Sequence, residues 1–217
     1  MSNRERHGKM TEYFIPTGSG ESEYTEKRSR FLGHIRCVET EDEAKNFIAE
    51  TKKKFYDARH NCWCYIIRGG AERYGDDGEP QGTAGIPMLE VLRREGVTNV
   101  VCVVTRYFGG VLLGAGGLLR AYTKSAKDAL DAAGISVVRR WVECELPCSY
   151  SQAERLKNEI ASAGGVVSDM DYAAAVTIKI LVPEEIIDTF KAKITDITSG
   201  SAEVKITGEC FKAVPIK

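Results

Sequence analysis

Between Asp57 and Tyr122 the chain concentrates the residue types from which a site can be built: DARHNCWCYIIR, then YGDDGEPQGTAGIP, then NVVCVVTRYFGGVLLGAGGLLRAY. In the last of these, Gly109, Gly110, Gly114, Gly116 and Gly117 lie between a strand-like apolar run and a helix-like one, with Arg106, Tyr107, Arg120 and Lys124 beside them. Glycines let main chain approach a ligand closely, and the free N–H groups at a helix start attract negative charge. The segment could therefore cradle an anionic group such as a phosphate. A P-loop is excluded, because Ala115 and Gly116 follow Gly114 where Lys and a hydroxyl residue belong. A dinucleotide fingerprint is excluded as well, because Leu119 stands where its third glycine would be. The competing reading is that these glycines only let a turn and a helix pack closely.

Asp76, Asp77 and Glu79 share one Gly- and Pro-rich loop. Their oxygens could hold Mg²⁺ or Ca²⁺, but the alternating ligands and closing Glu of a calcium loop are missing. A turn whose acids are solvated, or paired with Arg73 and Arg106, is the expectation. His60, Cys62 and Cys64 alternate along a strand, which puts the outer two about 13 Å apart, too far for one tetrahedral ion with ligands near about 2.3 Å. Cys62 and Cys64 are expected to be small core residues, and no metal or cofactor is expected. There is no G-x-S-x-G elbow, and Cys–His catalysis would require a thiol from another strand.

Positive and aromatic residues interleave along this part of the chain, as in Arg73 and Tyr74 or Arg106, Tyr107 and Phe108. RNA-binding surfaces use such mixtures for phosphate contact and base stacking, although solvated helix faces and core aromatics also account for them. The net charge of −1 over 217 residues excludes broad phosphate neutralisation, so any nucleic-acid contact must be local. Apolar runs such as VVCVV are too short to span a bilayer, the polar start has no secretory h-region, and seven cysteines without a framework read as reduced thiols. A cytoplasmic protein with no membrane contact is expected.

The elements that must position these residues form two domains. In the first, strands are expected near Glu12 to Ile15, Arg30 to Val38, Asn61 to Ile67 and Asn99 to Thr105. Helices are expected after Thr40, capped with Glu43, through Leu89 and Leu92 to Gly96, and from about Leu118 to Ala133. The remainder reads βαββαβ, a ferredoxin-like order. Its first helix is assigned a capping box of Ser151 and Glu154, with an apolar stripe of Ala153, Leu156, Ile160 and Ala163. Its second helix starts after Pro183. The boundaries are a tail at residues 1–10, a first domain at 11–136 and a ferredoxin-like domain at 137–217, an α+β chain overall.

DARHNCWCY, DDGEPQGTAGIPML and above all VVTRYFGGVLLGAGGLLRAY resemble the signature of the YigZ/IMPACT family of translation regulators, over almost the whole chain. The positions carrying it are Asp76, Asp77, Gly78, Glu79, Pro80, Gly82, Arg106, Tyr107, Gly109, Gly110, Gly114, Gly117, Arg120 and Tyr122. The resemblance implies a first domain with the fold of a small-subunit ribosomal protein and of domain IV of elongation factor G. It implies a second domain like that factor's domain V, and a link to translation. Eukaryotic relatives bind an activator of the amino-acid-starvation kinase, but they carry an additional domain not expected here, so their partner does not transfer. No catalytic residue set comes with the resemblance.

The expected function is a non-catalytic module that docks on RNA, the ribosome or a translation factor through Arg106 to Lys124, the acidic loop and His60. The alternatives are a Mg²⁺-dependent enzyme acting on a nucleotide or phosphorylated small molecule, since the implied first fold is shared with small-molecule kinases, and a protein adaptor without nucleic acid.

Overall fold

The structure is a computed structural model that describes residues 12–173 and 175–216. The expected tail, residues 1–10, lies outside the described residues. The chain divides into two compact units, one formed by Tyr13–Val138 with the segment 213–216, the other by Arg139–Lys212.

In the first unit the elements run β1 (Tyr13–Pro16), β2 (Gly20–Glu26), β3 (Ser29–Cys37), α1 (Glu41–Lys54), β4 (His60–Ile66), β5 (Glu72–Gly75), α2 (Gly85–Arg94), β6 (Val100–Tyr107) and α3 (Gly114–Ala133). An antiparallel sheet in the order β2-β3-β6-β4-β5 carries the unit. Strand β6 is central, and VVCVVTRY is apolar on both faces because both faces are covered. Val100, Cys102 and Val104 pack with Cys62, Cys64 and the buried residues of α2 and α3. Val101 and Val103 pack with Ala44, Phe47 and Ile48 of α1. Each of the Val, Ile and Phe side chains among these contributes about 1.5–3 kcal/mol by leaving water.

Helix α1 starts where the sequence says it should: Thr40 Oγ1 accepts from the Glu43 N–H at 3.2 Å. Acids fill its first turn and Lys52, Lys53 and Lys54 its last, matching both ends of the helix dipole. Helix α3 lies so close to β2 that a Cβ at Gly20 would stand 2.2 Å from the Ala129 carbonyl oxygen. The edge strands β2 and β5 were not expected. GESEYTE and ERYG are largely charged and exposed, so their apolar signal is weak.

The second unit contains the remainder of β7 (Ile135–Cys148), then α4 (Tyr150–Ser162), β8 (Val166–Tyr172), β9 (Val176–Pro183), α5 (Ile187–Ile197) and most of β10 (Lys205–Pro215). The first four residues of β7 pair with β1 inside the first unit. Beyond them β7 pairs with β9, β9 with β8, and β10 flanks β7, so the sheet order is β10-β7-β9-β8. Numbered within the unit this is 4-1-3-2, the ferredoxin-like arrangement, with Cys144, Leu146, Cys148, Leu156, Ile160, Phe190 and Ile194 in its core.

One expectation here is corrected. The capping box of α4 is Ser149 with Gln152, not Ser151 with Glu154. The helix begins at Tyr150, directly after β7, and the Ser149 N–H donates to Gln152 Oε1 at 3.1 Å. Glu154 pairs instead with Lys157 at 2.9 Å, one turn further on. The start after Pro183 also differs in detail, because Glu184–Ile186 form a 3₁₀ turn before α5.

His34 supplies a pH-dependent element of the first unit. Its ring is 8% exposed, stacks on Phe55 at 4.9 Å between centroids, and has Nε2 buried without a partner among the described residues. Burial lowers its pKa and Lys54 adds to this, while Glu21, 3.5 Å away, opposes it. A histidine depressed in the folded state favours the neutral ring. Its contribution is therefore present above the unfolded value of about 6.5 and is lost as pH falls toward the lower folded value. Urea midpoints should drop between pH 7.5 and 5.5 by a larger amount in the parent chain than in His34→Gln. Equal drops would assign the acid sensitivity elsewhere.

Candidate functional site

Strand register builds the floor of a site at one end of the first sheet. Phe31 of β3 pairs with Arg106 of β6, and Arg106 pairs with His60 of β4. Arg106 is two residues beyond Val104, so the period of two turns its side chain to the α3 face, the same face that receives Cys62. There it is 5% exposed, and Nη1 donates to Glu79 Oε1 at 2.6 Å. Tyr122 of α3 donates to the same oxygen at 2.8 Å. Cys62 Sγ donates to the Tyr122 hydroxyl at 3.3 Å. Burial, reinforced by Cys62 and Glu79, pushes the Tyr122 hydroxyl far above the usual phenol range, and burial does the same to the Cys62 thiol. Both remain protonated donors. The guanidinium lies between Phe31 and Phe108, at 5.4 and 5.5 Å from the ring centroids. Its Nε is buried and has no hydrogen-bond partner among the described residues.

Arg106 thus serves the Glu79 carboxylate, as the Arg106 part of the paired-loop reading expected, and is not a free arm reaching for an anion, whereas Arg73 donates to the Glu72 carbonyl instead of to an acid of the loop. The two aspartates of the loop are likewise engaged. Asp76 accepts from the N–H groups of Gly82 and Gly85 at 2.8 Å each and of Ala84 at 3.2 Å, which closes the loop and caps α2. Asp77, at φ 46°, accepts from the Asn61 N–H at 2.7 Å and from Lys52. Its own carbonyl lies 2.8 Å from His60 Nδ1. A carbonyl can only accept, so Nδ1 carries a proton, and in the corresponding neutral tautomer Nε2 carries the lone pair. Nε2 stands 3.9 Å from Glu79 Oε1. Among the described residues no group of three His, Cys, Asp or Glu side chains is placed to hold a metal ion.

Above this floor is a cavity of about 570 Å³. Its polar side is formed by Arg59, His60, Glu79 and Arg106, its apolar side by Phe108, Leu112, Leu113 and Leu118, with Gly114 and Ala115 at the start of α3. Phe108 is 48% exposed and Leu112 82%, so the apolar side of the mouth is open to solvent. The glycine loop is held in place by Gly109, where a Cβ would lie 2.1 Å from the Arg28 carbonyl carbon. Its N–H donates to Ser29 Oγ at 3.1 Å. This contact sets the tip of the β2–β3 hairpin, Lys27 and Arg28, beside the mouth. Gly110 and Gly114 have φ of 83° and 71°, while Gly116 and Gly117 lie in the first turn of α3. The Arg120 guanidinium folds back along α3, with Nη1 3.7 Å from where a Gly116 Cβ would be.

The remaining expected residues lie outside the cavity. Tyr107 donates to Asp57 at 2.9 Å, and Lys124 pairs with Asp128 at 2.7 Å and sits over Tyr24. The sequence reading missed Lys27, Arg28, Arg59 and Leu112 as site residues. The first two had a signal, a basic pair between two alternating runs, which marks a hairpin tip.

Residues 27–130 match the family model described as the Impact N-terminal domain, and residues 146–201 match a domain of unknown function (DUF1949). A Bacillus subtilis (strain 168) protein called IMPACT family member YvyE is 37% identical over 195 residues, which is 89% of this chain and 90% of that protein. The chain belongs to the IMPACT family. IMPACT family member YigZ of Escherichia coli (strain K12) is 33% identical over 182 residues, 82% of this chain and 89% of that one. The Rattus norvegicus protein named Protein IMPACT is 35% identical over 95 residues, 42% of this chain and 30% of that one. A crystal structure described as that of a hypothetical protein aligns with a TM-score of 0.58 at 31% identity, covering 92% of this chain and 98% of the other. Every residue lining the cavity lies within the segment matched as the Impact N-terminal domain. No helix among the described residues of this IMPACT-family chain is long and apolar enough to cross a membrane.

Proposed function

We propose that this IMPACT-family chain is a non-catalytic, cytoplasmic docking module linked to translation, which binds structured RNA of the ribosome through the rim of the cavity. One observation carries the reading. Lys27, Arg28, Arg59 and Arg120 are exposed and form no ion pair among the described residues; the Arg28 main chain abuts Gly109, Arg59 shares the cavity lining with Phe108, and the Arg120 guanidinium lies beside Gly116 at the start of α3. In a chain of net charge −1 this is a local concentration of uncommitted cations. Exposed guanidinium groups contact phosphates, and an exposed ring offers a stacking face for an unpaired base. Helix α3 adds main-chain N–H groups at a start with no side-chain cap and no acid in the first turn.

Ribosome binding by the full chain should weaken at least tenfold when Lys27, Arg28 and Arg120 are all changed to Glu. The slope of log affinity against log salt should fall by about two to three, since each lost phosphate contact removes about 0.7–0.9. An unchanged slope would overturn the reading. Loss of association in Leu112→Asp alone, with the charge reversals silent, would assign the rim to a protein partner.

A further inference from the structure

We propose that the cavity is a base-specific subsite that receives one unpaired guanine and reads its pairing edge through Glu79 and His60. This inference rests on the RNA-docking reading and adds to it what is recognised. The volume of about 570 Å³ is ample for a nucleotide and lies in the range of about 300–1,000 Å³ typical of ligand sites. Its layout is an apolar wall facing a polar floor, which suits a flat heterocycle with a hydrogen-bonding edge.

The floor offers acceptors. Glu79 Oε1 is occupied by Arg106 and Tyr122, but Oε2 makes no hydrogen bond among the described residues and is not among their sealed, unpartnered atoms. His60 Nδ1 is committed to the Asp77 carbonyl, so the neutral ring presents Nε2 as a second acceptor. Arg106 compensates the charge of a Glu79 side chain only 3% exposed, so the carboxylate is held at the floor without drawing in a cation from outside. The occupant must therefore bring N–H donors. Guanine presents two side by side, N1–H and the 2-amino group. Adenine and cytosine present one amino group beside a ring nitrogen whose lone pair would face the carboxylate, and uracil presents one N–H between two carbonyl oxygens. The guanine O6 acceptor is left for the exposed Arg59 guanidinium at the mouth. Phe108, held over Arg106 and half open, supplies the stacking face.

The test is titration of GMP, IMP, AMP, CMP and UMP into the full chain, followed by calorimetry and by the NMR shifts of the His60 imidazole. GMP should bind at least tenfold more tightly than AMP, CMP and UMP. IMP, which lacks the 2-amino group, should fall between. GMP should shift His60 Nε2, and Phe108→Ala, a change at a half-exposed side chain, should weaken GMP binding at least tenfold. Glu79→Gln should abolish the preference for GMP over IMP; where that variant unfolds, Phe108→Ala and the IMP comparison decide. Equal affinities, no binding, or saturable binding of arginine amide in place of GMP would each overturn the subsite. RNA binding with its salt slope intact but no GMP preference would discard the subsite and keep the docking reading. GMP binding without RNA binding would do the reverse.

Discussion

Glu79→Ala should destabilise the first unit by about 3–5 kcal/mol, seen as a lower urea midpoint at an unchanged denaturant slope. The Glu79 and Arg106 side chains are 3% and 6% exposed, and their 2.6 Å contact is the only ion pair Arg106 makes among the described residues. Removing the carboxylate leaves a guanidinium shut away from water with no countercharge. It also leaves the Tyr122 hydroxyl without the acceptor it now has at 2.8 Å. Removing both charges should cost much less, because the penalty comes from the uncompensated partner rather than from the loss of the pair. Glu79→Leu combined with Arg106→Met should therefore recover most of the loss. A Glu79→Ala chain within about 1 kcal/mol of the parent would show that water reaches Arg106 and that the pair is not part of the buried framework.

The second large effect is expected at Gly109. Alanine there would place its Cβ 2.1 Å from the Arg28 carbonyl carbon, 2.3 Å from its oxygen and 2.4 Å from the Ser29 nitrogen. All three are main-chain atoms, which cannot rotate away, so the cost should reach about 3 kcal/mol, the top of the usual range for overpacking. The loop would have to lift from the hairpin, breaking the bond from the Gly109 N–H to Ser29 Oγ and moving Phe108 off the cavity. Gly110→Ala is the control. It meets nothing within 4 Å and only has to hold a φ of 83°, at a cost of about 1–2 kcal/mol. RNA affinity should fall with Gly109→Ala and stay near the parent value with Gly110→Ala. Similar stability losses in the two variants would mean that the hairpin contact does not position the loop.

Much of the architecture was legible because local and long-range signals agree. Thr40 and Glu43 cap the helix they predict, and the ten-residue α2 runs through Leu89 and Leu92 to just short of Gly96. The doubly apolar β6 is central because nothing polar interrupts it before Thr105. The cap of α4 was misplaced because two serines, Ser149 and Ser151, fall within one turn, and only the end of β7 decides between them. The site was half legible. Its glycines and its buried pair partner, Glu79 with Arg106, could be read from a loop whose acids had basic neighbours. What could not be read is that strand register stacks Phe31, Arg106 and His60 across three strands, since register is set by pairing far apart in sequence. The same holds for Lys27 and Arg28, whose place beside the loop depends on the absence of a side chain at Gly109.

The cysteines give this fold a built-in means of watching it breathe. Cys62, Cys64 and Cys102 lie inside the first unit and Cys144 and Cys148 inside the second, all buried and unpaired. Thiolates are the reactive species, and burial raises the pKa of Cys62, Cys64, Cys144 and Cys148, so the closed molecule gives an alkylating reagent little to attack there. Modification at those positions reports opening events, and the peptide that carries the label identifies which half of the molecule opened. The native chain thus contains separate chronometers for its two halves, without any engineered probe.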